Sequence, residues 1–140
     1  HVGGTTGISA QDRALTVVSC TKEETVSTDF HRPGHVFPLR AREGGVLTRR
    51  GHTEATVDFA KLAGARPIGM LCEILNADGS PARMDDLELL AEKHNLAFTS
   101  IELLAEYLTE NNIDLQNEID INFEELDSIN DELARTAMKA

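Results

Sequence analysis

Three scarcities bound what this 140-residue chain can be. Aromatic residues make up only 4% of it, and no apolar run approaches the roughly 20 residues that a membrane-spanning helix needs. No charged start followed by an apolar stretch marks a signal peptide. Cysteine is reduced to two residues, Cys20 and Cys72, at a spacing that fits no metal motif. Nothing motivates a disulfide between them, and two free thiols in a reducing cytoplasm are expected. Basic residues are nearly missing from the end of the chain. Residues 102–140 carry 2 Lys or Arg against 11 Asp or Glu, and 102–132 carry no Lys or Arg at all. Such a surface repels phosphate backbones, so nucleic acid is excluded as a partner, and a membrane is not expected as one either.

What remains is a single domain's worth of sequence. Hydrophobic residues make up 41%, enough for a modest core at this length. There are no internal repeats. The net charge of −11 is concentrated at the end, since residues 1–101 hold 11 basic and 13 acidic side chains.

The most informative stretch is 32–55, RPGHVFPLRAREGGVLTRRGHTEA. It packs five arginines, two histidines, four glycines and two prolines into 24 positions. Gly and Pro set turns that bring side chains together. Arginine forks grip phosphate oxygens in pairs, and histidine holds a metal or moves a proton near neutral pH. With a single phenylalanine and no stacking platform, the stretch suits a small phosphate ester better than a polymer. Gly51, the adjacent Thr53 hydroxyl and a helix beginning there would make an anion cradle.

Local signals place the other elements. Residues 1–13 read as a Gly/Thr/Ser-rich loop, and 14–20 as either a short strand or the start of a buried helix. A turn is expected at Arg32-Pro33-Gly34. Thr53 offers an N-cap for a helix over about 54–63, with Gly64 as its stop. Residues 68–75, IGMLCEIL, read as a strand, closed by a turn at 76–79. Glu73 is its lone charge, and a carboxylate buried there is costly unless it is paired or protonated, which suits proton transfer. Asp85 with Glu88 resembles a capping box for a helix over about 86–94, with Leu87, Leu90 and Ala91 as its apolar stripe. Residues 96–99 read as a short strand, and Ser100 as the cap of a helix over about 101–109. Asn122 and Glu125 suggest one more helix, over about 123–137. Asp12 and Arg13 are expected to pair and fix their loop, or to serve catalysis. The domain proper is expected to span 1–110, with 111–140 an acidic, helical extension.

Three blocks in order, TTGISAQDRA at 5–14, RPGHVFPLRA with GGVL and RRGHTEA at 32–55, and LAGARPIGMLCEILNADGSPAR at 62–83, closely resemble 3,4-dihydroxy-2-butanone 4-phosphate synthase. The resemblance covers about residues 5–101. It implies an α+β (mixed α/β) fold with a mixed sheet flanked by helices. It implies a lyase of riboflavin biosynthesis that uses Mg2+ or Mn2+ to convert D-ribulose 5-phosphate into 3,4-dihydroxy-2-butanone 4-phosphate and formate. By the same resemblance His35 and Glu73 serve catalysis, and His52 is a metal ligand. Arg49, Gly51 and Thr53 hold the phosphate, and Arg50 and Thr6 are further substrate contacts. Arg50 reads equally well as a solvated surface residue. A cytoplasmic homodimer is implied. The family also has an N-terminal third whose acidic loop, resembling D-x-E-D-R-E-N-E-G-D, supplies a glutamate metal ligand. No counterpart occurs in these 140 residues, so the other reading is a non-catalytic relative that acts as an assembly module.

Overall fold

The computed structural model describes residues 1–115. They form two compact units, His1–Ala41 and a second that begins at Arg42.

In the first unit, helix α1 (Ala10–Cys20) begins at Ser9, whose Oγ accepts the Asp12 N–H at 3.0 Å. That cap, with an acidic side chain in the first turn, decides residues 14–20 in favour of helix. A single 3₁₀ turn follows at Ser27–Asp29. The Val2 N–H donates to Asp29 O at 2.8 Å, and the His1 ring meets Phe30 edge-on at 5.9 Å. The chain then bends at Arg32-Pro33, a cis peptide. The side chains this unit buries are polar, Asp12 and Ser19.

The second unit contains α2 (Gly45–Thr48), α3 (His52–Leu62), α4 (Met84–His94) and α5 (Ile101–Glu110). Its core joins Val46, Ala55, Leu62, Leu104, Ala105, Leu108 and Leu115, with Phe59, Ile101, Tyr107 and Ile113 packed against them. Ala55, Phe59 and Leu62 recur along α3, and Ile101, Leu104, Ala105 and Leu108 along α5, both at helical spacing, so each helix turns one apolar face inward. Residues beyond 110 still belong to this core: Leu115 is buried in it, and Lys61 Nζ donates to Leu115 O at 2.7 Å.

Three helices stop in the same way. The Ala65 N–H reaches back to Ala60 O at 2.9 Å or less, the Leu96 N–H to Ala91 O and the Ile113 N–H to Leu108 O likewise. The residue before each, Gly64, Asn95 or Asn112, has a positive φ. This is the Schellman arrangement, which satisfies the last carbonyls of a helix locally. Gly64 therefore acts as the sequence predicts.

Helix starts differ more. α5 is capped by Ser100 as expected, its Oγ accepting the Leu103 N–H at 3.2 Å. Thr53 does not cap α3. Gly51 takes that position with extended backbone, and Thr53 is the helix's second residue. Asp85 does not cap α4 either. The Asp86 carboxylate accepts the Arg83 N–H at 2.9 Å, which starts the helix two residues earlier. The stripe of Leu87, Leu90 and Ala91 faces inward as predicted, with Ala91 buried.

The expected strands are absent among the described residues. Segment 68–75 makes one isolated antiparallel bridge, Leu75 with Pro81. Around it the Ala82 N–H donates to Ile74 O and the Asn76 N–H to Ser80 O. The predicted turn is present, with Gly79 at φ 86° and its N–H on Asn76 O. A strand exists only where a neighbour supplies partners for its backbone groups. Among the described residues, the only such neighbour is the segment's own return at 80–82. Residues 96–99 form no strand for the same reason, and the mixed sheet is not formed by residues 1–115. The helix expected over 123–137 lies outside the described residues. No helix among the described residues is long and apolar enough to cross a membrane.

Candidate active site

A dense polar arrangement lies where α3 begins. Glu54, in the first turn of α3, is 1% exposed. Its Oε1 accepts the Arg42 N–H at 2.9 Å, and its Oε2 takes Arg49 Nη1 at 2.6 Å. The Arg42 N–H, helped by Arg49 and opposed by burial, holds the Glu54 carboxyl below the usual carboxylate range. One turn later, Asp58 is also buried, and its Oδ2 accepts the Val46 N–H at 2.7 Å. Burial pushes the Asp58 carboxyl up, against the Val46 N–H and the Lys61 charge. Two carboxylates of one helix thus pin both ends of the 42–46 loop. Arg50 Nη1 closes the turn on Val46 O at 2.7 Å.

Gly51 makes room for this. A Cβ on it would overlap Arg49 Nη1 and Glu54 Oε2. Arg49 is left half-exposed, with one of its five donors on Glu54 and, among the described residues, no partner on the rest of its fork, which can meet an anion. It lies against the start of α3, which no side chain caps. Exposed His52 and half-buried Thr53 occupy the first two positions there. Helix N–H groups beside an arginine fork suit a phosphate monoester.

The first unit builds a second polar cluster. Buried Asp12 accepts the Thr5 N–H (3.0 Å), the Thr5 hydroxyl (2.7 Å) and the Gly7 N–H (3.0 Å). The Thr5 bonds, with those from Gly7 and Ser9 and against the cost of burial, pull its carboxyl down to about 2. Asp12 and Arg13 do not pair. Arg13 instead donates from Nε to Ile8 O (3.0 Å) and from Nη1 to His35 O (3.1 Å). Thr6 is exposed on the loop that Asp12 holds, and exposed His35 is tied by its carbonyl to α1.

The structure gathers Arg49, Gly51, His52 and Thr53 at one helix end, and turns Arg50 back onto Val46. It does not bury Glu73. That side chain is exposed on segment 68–75, because the segment lacks the sheet that would cover it. Glu54 and Asp58 were not foreseen. The sign of them was their place in the series 54, 58, 62, which ends on core residue Leu62 and so lies on the inward face of α3.

No group of three or more His, Cys, Asp or Glu able to hold a metal occurs among the described residues. Magnesium takes several oxygen ligands in octahedral array. His52 offers one nitrogen, and both oxygens of neighbouring Glu54 are engaged. Residues 1–115 do not by themselves fit that ion.

Solved structures share the fold. The 3,4-dihydroxy-2-butanone 4-phosphate synthase of Candida albicans matches with a TM-score of 0.74 and 46% identity, over 76% of this chain and 55% of that one. RibBX, a two-domain synthase of the same kind from A. baumannii, matches with a TM-score of 0.73 and 50% identity, over 76% and 32%. The fold is therefore that of these synthases. Among curated proteins, the 3,4-dihydroxy-2-butanone 4-phosphate synthase of Tolumonas auensis is 59% identical over 109 residues, 78% of this chain and 50% of that protein. The riboflavin biosynthesis protein RibBA of Bacillus velezensis is 50% identical over 116 residues, 83% and 29%. Residues 1–107 match the family described as 3,4-dihydroxy-2-butanone 4-phosphate synthase. The chain belongs to that family, one of riboflavin biosynthesis. It spans about half the length of the Tolumonas synthase that it matches.

Proposed function

We propose that this chain supplies the phosphate-holding and proton-transferring part of a lyase that converts D-ribulose 5-phosphate into 3,4-dihydroxy-2-butanone 4-phosphate and formate. The observation that carries this reading is the Arg49–Glu54 pair at the uncapped start of α3, inside a segment half or more identical to named synthases. The two products together have the composition of the substrate, so the reaction needs no oxidant. Arg49, Gly51 and Thr53 hold the phosphate, which fixes the sugar against the reacting groups. Arg50 adds positive charge rather than a direct grip. His35 and Glu73 transfer the protons by which a carbon acid becomes an enediol and one carbon leaves, and Thr6 touches the substrate.

Mg2+ or Mn2+ would be held with His52 as one ligand and oxygen ligands from outside residues 1–115. The mixed sheet of the complete fold would include 68–75 as a strand. Working as a cytoplasmic homodimer would cover apolar side chains such as Phe37 and Met70, which are 82% and 70% exposed. The absence of a complete metal cluster among the described residues favours one competing reading, a non-catalytic assembly module. Formate release from ribulose 5-phosphate with magnesium separates the two. Release by the purified chain, abolished by His52→Ala, is expected. No release above that variant, with an oligomer that dissociates when 111–140 are deleted, would establish the module instead.

A further inference from the structure

Glu54 is an awkward residue to find beside a phosphate site. It is a buried anion, 1% exposed, directly behind the place where another anion is to bind. Coulomb's law alone makes it a liability there. Its hydrogen bonds give it another task. One oxygen holds the Arg42 N–H and the other holds Arg49 Nη1 at 2.6 Å, while Gly51 leaves the space in which that pair lies. Arginine carries several rotatable bonds, and an unheld one loses rotamer freedom when it grips a ligand.

We infer that Glu54 is a positioning residue, which fixes the Arg49 fork in the orientation that receives the substrate phosphate and ties it to the 42–46 loop. This rests on the reading of Arg49 as the phosphate-binding arginine. Glu54 itself touches no substrate. With one N–H committed to Glu54, the remaining donors of Arg49 are aimed rather than searching, beside the start of α3.

The two views of Glu54 predict opposite signs. If its charge were what mattered, Glu54→Gln would remove a nearby anion and phosphate would bind more tightly. If it positions Arg49, the same change weakens binding. The glutamine oxygen still accepts the Arg42 N–H, while its amide presents donors to a guanidinium that has only donors.

The experiment is a calorimetric titration of the whole chain with inorganic phosphate, run on wild type, Glu54→Gln, Arg49→Ala and the double variant, with circular dichroism as the check on folding. Glu54→Gln is expected to weaken binding about tenfold or more, the scale of one charged hydrogen bond. It is expected to add nothing once Arg49 is gone, a result that a merely structural role would not give. Glu54→Asp keeps the charge but falls short of Arg49, and the same loss is expected of it. It also serves should the glutamine variant not fold. Wild-type or tighter binding by these variants would overturn the inference and leave the phosphate site standing. An additional loss in the Arg49→Ala background would overturn it too. No phosphate binding by wild type would overturn the phosphate site and this inference together.

Discussion

Gly45 is the position at which a single methyl group should do most harm. Its φ is 56°, in the left-handed region, and a Cβ there would overlap both oxygens of the Asp58 carboxylate. Gly45→Ala therefore carries two costs. The backbone conformation costs an L-residue about 1–2 kcal/mol. Pushing Asp58 aside breaks its 2.7 Å bond from the Val46 N–H and leaves a buried carboxylate without that partner, which costs about 1.5–3 kcal/mol. Together they amount to about 2.5–5 kcal/mol, a large share of the roughly 5–15 kcal/mol that holds a domain folded. Gly79 is the control. Its φ is 86°, but nothing lies within 4 Å of an added Cβ. Gly79→Ala should therefore show only the backbone cost of about 1–2 kcal/mol. Urea unfolding followed by circular dichroism measures both. Adding Asp58→Ala to Gly45→Ala removes the clash, so the pair should cost less than the sum of its parts. If Gly45→Ala is no worse than Gly79→Ala, Asp58 does not stand where the structure puts it and the argument fails.

Two other outcomes follow from the same packing. Leu104 is fully buried in the core between α3 and α5, and Leu104→Ala should cost about 2–5 kcal/mol in the same unfolding assay, against little for exposed Leu89→Ala. Asp12 titrates at about 2 in the folded chain against an ordinary 3.8. Because the folded value is the lower one, its stabilisation is complete above pH 3.8 and fades as pH falls toward 2. Asp12→Asn should flatten that acid limb of a stability-against-pH curve, and an unchanged limb would show that the Thr5 and Gly7 bonds are not what holds the loop.

How much the sequence discloses depends on how local each signal is. Ser100 caps α5 and Gly64 stops α3 because both act on backbone within three or four residues. The starts of α3 and α4 come two residues earlier than the local signals place them: Gly51 takes the cap position of α3, and at α4 the Asp86 carboxylate holds the Arg83 N–H. Segment 68–75 has the composition of a strand, but a strand depends on a neighbour far away in sequence, and no local signal reports whether that neighbour is present. The site follows the same rule. His52, Thr53, Gly51 and Arg49 are adjacent in sequence, so their gathering at a helix end was readable. That Glu73 is exposed, and that Glu54 lies behind Arg49, depends on packing. The inward series 54, 58, 62 was nevertheless there to be read.

The three left-handed stops, at Gly64, Asn95 and Asn112, have a consequence for how such a chain can be rearranged. A helix that satisfies its own last carbonyls owes its length to no other part of the protein. It keeps its end whether the polypeptide around it is cut, spliced to another domain or reordered. This chain matches less than a third of RibBA, and about a third of a two-domain synthase. Modules whose helices carry their own punctuation tolerate being set in such different sentences, whereas 68–75 takes its meaning from whatever is placed beside it.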